Sequence, residues 1–160
     1  MKGYKVFDPD WTCKGFKFEV GKEYIHEGEI KHCESGFHFC LSLTACFNYY
    51  KFDPKNKVAE VEATGKVITD GDKTVCNKIK ILKEVSWEEC LRLCNSGDGN
   101  SGYRNSGDYN SGYGNSGDYN SGGGNSGDGN SGDYNSGDGN SGYRNSGDYN
   151  SGDGNSGYRN

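Results

Sequence analysis

From Asn95 onward the chain obeys one rule: thirteen consecutive units of Asn-Ser-Gly-x-x, with no exception at the first three positions and a single Asn left over at 160. The variable pair draws only on Asp, Gly, Tyr and Arg. A strict short period restricts the array to a solenoid, in which every unit repeats one backbone geometry, or to a low-complexity coil. The array has no Leu, Ile, Val, Phe, Trp or Met. It therefore lacks the apolar surface whose burial normally offsets a backbone entropy of roughly 1–2 kcal/mol per residue. If ordered, it must turn Asn into one inward position and Gly into the other, and be held by Asn ladders and backbone hydrogen bonds. The invariance of the triplet favours order, because a flexible linker needs only composition. A disordered repeat tail is the alternative, consistent with the Gly, Ser and Asn content. The array stops one residue into a new unit, as a truncated array would.

The period of five resembles the pentapeptide-repeat family. That resemblance implies a right-handed four-sided β-helix with about four units to a turn, so a little over three turns here. In such a rod Asp98, Asp118 and Asp138 stack in one outward column and Tyr103 shares a column with Tyr143. These five residues are candidate interaction residues.

Residues 1–94 hold the large apolar side chains and all seven cysteines. They carry 15 basic and 15 acidic residues, whereas the array carries eight Asp and three Arg, so the whole net charge of −5 lies in the array. No basic patch points to phosphate-backbone binding. No segment has the length of a signal core or a membrane span, so a cytoplasmic location is expected, with most cysteines as small buried apolar residues. Alternation marks strands at Gly3–Phe7, Gly15–Val20, Lys22–His26, Gly36–Cys40 and Lys57–Ala63. Thr64-Gly65 would turn the last of these into Lys66–Thr69 as a hairpin. A further strand lies within Val75–Val85. Leu43, Cys46, Phe47 and Tyr50 sit at helical spacing within Leu41–Tyr50. Ser86-Trp87-Glu88-Glu89 has the form of a capping box opening a helix to about Cys94. The expected architecture is a small α+β domain over 1–94, then the array over 95–160.

The runs GYKVF, DPDWTCKGFKFEVGKEY, CESGFHFC, FNYY, VAEVEA and DGDK resemble an uncharacterised domain of phages and their bacterial hosts, in which pentapeptide arrays can follow the domain. The resemblance covers essentially all of residues 1–94 and implies a phage or prophage origin, with no established activity.

Three constellations could carry chemistry, one of them a cysteine nucleophile with a histidine partner, a pairing made by the fold and invisible in spacing. Cys33, His38 and Cys40 form C-x4-H-x-C, half of a zinc site, although Cys40 fits a buried strand position equally well. Residues 35–50, SGFHFCLSLTACFNYY, look like the strand-then-helix element of ADP-ribosyltransferases. That resemblance implies Tyr49 as a residue stacking on nicotinamide, with His38 replacing an aromatic residue of the strand. Glu60-Val61-Glu62 lies on an alternating strand that turns both carboxylates outward. The chain has no convincing His-Gly or Arg-Gly motif near its start and no suitably placed catalytic Glu, so this resemblance implies nucleotide binding rather than turnover. No resident cofactor is expected. The leading expectation is a non-enzymatic scaffold presenting an acidic, Tyr-studded rod to a protein partner or to further copies of itself, end to end. A DNA-mimicking rod directed at a host defence protein is the alternative.

Overall fold

The computed structural model describes residues 1–97 and 99–160; Asp98 lies outside the described residues. The chain divides into two compact units, Met1–Cys90 and Leu91–Asn160. No helix among the described residues is long and apolar enough to cross a membrane.

The first unit is built on an antiparallel seven-stranded sheet. Its strands are β1 (Lys2–Phe7), β4 (Glu23–Ile25), β5 (Phe37–Cys40), β6 (Lys57–Ala63), β7 (Val67–Asp70), β8 (Lys73–Cys76) and β9 (Lys78–Glu84). They run in the order β4-β9-β6-β1-β5-β8-β7. The alternation of β6 works as expected: Ala59, Val61 and Ala63 are buried, while Glu60 and Glu62 are half-buried and Glu60 meets Lys83 at 3.5 Å. Phe7, Phe39, Val61, Ile79 and Ile81 are each at most 2% exposed and form the core with Phe18. A separate chain of rings links Phe47 to Phe52 at 4.6 Å and Phe52 to Trp87 at 4.5 Å.

Three elements differ from the sequence expectation. Lys66–Thr69 does not fold back on Lys57–Ala63. Instead β6 lies between β1 and β9, and β7 pairs with β8 at the sheet edge. Residues 64–66 are drawn there by Asn77: Lys66 N–H donates to its Oδ1 at 2.7 Å, and Thr64 N–H donates to the Lys78 carbonyl. Gly15–Val20 forms only β3 (Phe16–Lys17), the second arm of a hairpin with β2 (Thr12–Cys13). Lys14 and Gly15 at its tip have φ of 49° and 78°, the left-handed pair that tight hairpins require. The helix expected over Leu41–Tyr50 is one turn, α1 (Leu43–Cys46), capped by Ser42. It unwinds into successive turns through Tyr50. The second helix, α2 (Trp87–Cys94), starts as expected, with Ser86 Oγ accepting from Glu89 N–H at 3.2 Å.

The second unit is a β-solenoid. Its strands pair in parallel with a register of ten: Ser101 with Ser111, Ser111 with Ser121, and Ser131 with Ser141. The alternate units follow the same rule, Ser106 with Ser116 and Ser116 with Ser126. One turn is therefore two units and ten residues, and the array makes about six turns. The four-unit turn is thus replaced by one half as long. The physical reason lies inside. A wider four-sided shaft needs bulky apolar fillers, which this array lacks, whereas two facing strands can be bridged by Asn alone. Asn105 and every fifth residue to Asn150 are at most 2% exposed. Each Oδ1 accepts the N–H of the Asn one turn later, and each Nδ2 donates to main-chain carbonyls. For Asn110 these are Ser106 at 3.5 Å and Gly117 at 2.8 Å. Asn therefore takes the inward place of the shaft, as the composition required.

Candidate functional site

A cavity of about 570 Å3 in the first unit is walled by β1, β5, the β2–β3 hairpin and the segment around Tyr49 and Tyr50. The β1–β5 register is the single pair Tyr4–Cys40, so the two strands share little ladder. Lys5 occupies this junction. It is 5% exposed, and its Nζ donates to the His38 carbonyl at 2.9 Å and to Cys13 Sγ at 3.4 Å. The rings of Phe7 and Phe18 lie 5.6 and 5.5 Å from the same ammonium.

His38 faces this cation across the cavity lining. Its Nε2 accepts the Cys33 N–H at 3.0 Å, which leaves the neutral ring protonated on Nδ1. Burial, followed by the positive charges of Lys5, Lys73 and Lys14, pushes its pKa down to about 4. Tyr50 shares its hydroxyl with Cys13 Sγ at 3.2 Å, and burial is the main cause of its raised pKa. Tyr49 is bound to Asp72, which raises its pKa to about 12, and Lys73 Nζ covers one face of its ring at 3.7 Å. Cys40 and Cys46 are both buried. A hydrogen bond between the two thiols lowers the pKa of Cys40 and is the largest cause raising that of Cys46.

The solenoid carries two further surfaces, because the two variable pairs of each turn fall into separate columns. The first column holds Asp108, Asp118, Asp128, Asp138 and Asp148. The N–H of each of the first four donates to the carboxylate one turn on, as in Asp108 N–H to Asp118 Oδ1 at 2.8 Å. Beside it Tyr109 and Tyr119 stack with centroids 5.3 Å apart. The second column mixes Tyr103, Tyr113, Asp133, Tyr143 and Asp153, with Arg104 and Arg144 against the rings of Tyr103 and Tyr143 at 5.7 and 5.0 Å.

Family comparison divides the chain within three residues of the structural boundary. The model described as Domain of unknown function (DUF7666) matches residues 1–93, more than half of the sequence. The chain belongs to this family. Pentapeptide repeats match residues 94–133 and 120–160. Neither a curated protein nor a solved structure matches the chain.

Within the DUF7666 domain, the sequence candidates Cys33, His38, Cys40 and Tyr49 all line this cavity. They do not converge as ligands: His38 Nε2 is engaged by a backbone N–H, Cys40 turns to Cys46, and Cys33 lies near His32. No group of three or more metal-ligating side chains is found among the described residues. Lys5 was missed, although a signal existed. In KGYKVF it shares the phase of Phe7, so the alternation that buries Phe7 buries Lys5. In the solenoid, Asp118 and Asp138 do share a column, but Asp128 stands between them. Tyr103 stacks on Tyr113 at 6.1 Å rather than on Tyr143, four turns away.

The depressed His38 pKa makes the DUF7666 domain sensitive to acid. The unfolded chain takes up a proton near pH 6.5 that the folded domain refuses until about 4. His38 therefore contributes stability that is complete above 6.5 and is lost as pH falls through that window. Solvent screening of this half-buried ring holds the loss by pH 4.5 to about 1 kcal/mol. Urea unfolding at pH 7 and 4.5 measures it, and His38→Gln, which keeps an acceptor for Cys33 N–H, should remove most of the difference between the two pH values.

Proposed function

We propose that this protein is a non-enzymatic scaffold whose acidic column docks a basic protein surface. The β-solenoid of pentapeptide repeats is a structural, protein-interaction element. The observation that carries the finer reading is the asymmetry of the two columns. Asp108 to Asp148 form an uninterrupted run of five carboxylates with one arginine, Arg159, in the turn after it, whereas the other column holds Asp133 and Asp153 with Arg104 and Arg144. The buried polar side chains of the rod are Asn, so the variable positions are available for recognition. Duplex mimicry is less favoured. One carboxylate per turn, about 4.8 Å apart, is sparser than the duplex charge of one per about 1.7 Å.

The test uses a deca-arginine peptide as probe, with the full chain. Binding should be salt-sensitive and should weaken at least about tenfold when Asp108, Asp118, Asp128, Asp138 and Asp148 are all changed to Asn, at roughly 0.2–1 kcal/mol for each exposed pair. Asn keeps the Oδ1 acceptor, so the solenoid should be unchanged by circular dichroism. The double change Asp133→Asn, Asp153→Asn should leave affinity nearly intact. Equal weakening by both sets, or no binding by the unaltered chain, would sink the proposal. Sedimentation velocity on the same samples reports whether the acidic column instead pairs with the Arg-bearing column of another copy.

A further inference from the structure

A buried ammonium normally keeps a carboxylate beside it, because removing a lone charge from water is costly. Lys5 breaks this rule. It is 5% exposed, yet among the described residues no carboxylate lies within 4 Å of its Nζ. Its acceptors are one carbonyl and one sulfur, which leaves the third N–H of the ammonium without a protein acceptor among the described residues. The cavity it lines contains two more lysines, Lys14 and Lys73, against two carboxylates, Asp8 and Glu34. Among the described residues neither carboxylate forms an ion pair with these lysines, and Glu34 meets Lys31 at 3.7 Å. The same cavity has an aromatic wall. Phe16 and Phe18 are 4.7 Å apart, and each lies 5.9 Å from Phe37, all edge to face. Phe16 is 46% exposed despite its position in the lining.

We propose that this cavity binds a small aromatic anion, a carboxylate or phosphate ester on a planar ring, with its charge against the Lys5 ammonium and its ring against Phe16 and Phe37. The ligand supplies the counter-charge that the fold withholds from Lys5 and covers the exposed ring of Phe16. A volume of about 570 Å3 accommodates a molecule of one or two rings. The cavity is independent of the rod, so the scaffold reading can fail without affecting it.

The experiment titrates the full chain with phenyl phosphate and benzoate, using phenol and inorganic phosphate as the two halves of the chemistry. Calorimetry gives affinity, and the imidazole resonances of His38 give a readout inside the cavity. At least one aromatic anion should bind saturably and more than tenfold tighter than phenol or inorganic phosphate. Its negative charge near the three lysines should raise the His38 pKa from about 4. Lys5→Met should weaken binding at least tenfold while raising the thermal midpoint of the free protein, since a buried charge has been replaced by an apolar chain of similar length. Phenol binding as tightly as phenyl phosphate, no saturable binding of either anion, or unaltered affinity in Lys5→Met would each overturn the proposal. If Lys5→Met does not fold, the His38 titration of the unaltered chain decides: a raised pKa supports the site, and an unmoved one rejects it.

Discussion

Asn125→Ala is expected to strip amide-exchange protection from the middle turns of the solenoid, at a cost of about 3–6 kcal/mol. The size follows from what one side chain does. Asn125 is 1% exposed. Its Oδ1 accepts the Asn135 N–H at 2.9 Å, and its Nδ2 donates to the carbonyls of Ser121 at 3.4 Å and Gly132 at 2.7 Å. Truncation leaves one N–H and two carbonyls in a dry interior with no replacement partner. A cavity the size of one amide cannot be relieved by neighbours, because those neighbours are themselves Asn residues bound to their own turns. In a repeat rod each turn contacts only the next. The loss should therefore appear first in the amides of residues 115–135, with the turns on either side keeping more protection. Hydrogen exchange resolved by residue measures this. Uniform protection equal to the unaltered chain would mean that the Asn ladder does not carry the fold.

The same chemistry explains what could be read from the sequence and what could not. The inward Asn was legible because composition offered no other candidate. The number of units per turn was not legible, since a period of five is compatible with two or four sides. Interior width decided it, and width depends on whether Asn can reach both facing strands at once. In the DUF7666 domain, Lys57–Ala63 and the Ser86 cap were legible because alternation and capping are local. The partner of β7 was not, because Thr64-Gly65 carries a turn signature while the position of β7 is set by Asn77, eleven residues beyond Lys66. The cavity lay between these cases. His38 and Cys40 were candidates as residue types and Tyr49 through a family resemblance, but only the fold places them in one cavity with Lys5. A lysine in an alternating strand is easily assigned to solvent even when its phase is that of a core Phe.

The contrast between two glycines of one rod gives the second large expectation. Gly122→Ala should destabilise the solenoid by about 3–5 kcal/mol, combining strained backbone and overpacking, whereas Gly114→Ala should cost only about 1 kcal/mol. Both have positive φ, 111° and 65°. Conformation separates them in part, because 65° lies in the left-handed well that L residues can enter, whereas 111° is all but closed to them. At Gly122, the third position of its unit, an added Cβ would overlap the carbonyl oxygen of Gly132 in the next turn, and backbone on backbone cannot yield without breaking register. At Gly114, the fifth position, nothing lies within 4 Å. The fifth position already accepts Tyr109, Tyr119, Tyr134 and Arg144 at φ between 55° and 58°. The array keeps Gly at every third position and varies every fifth, the pattern that the close approach of successive turns demands. Thermal unfolding of the two variants, followed by circular dichroism in the strand region, measures the difference. Gly122→Ala melting with the unaltered chain would show that successive turns stand farther apart than a Cβ requires. Gly114→Ala collapsing with it would place the constraint in backbone conformation instead.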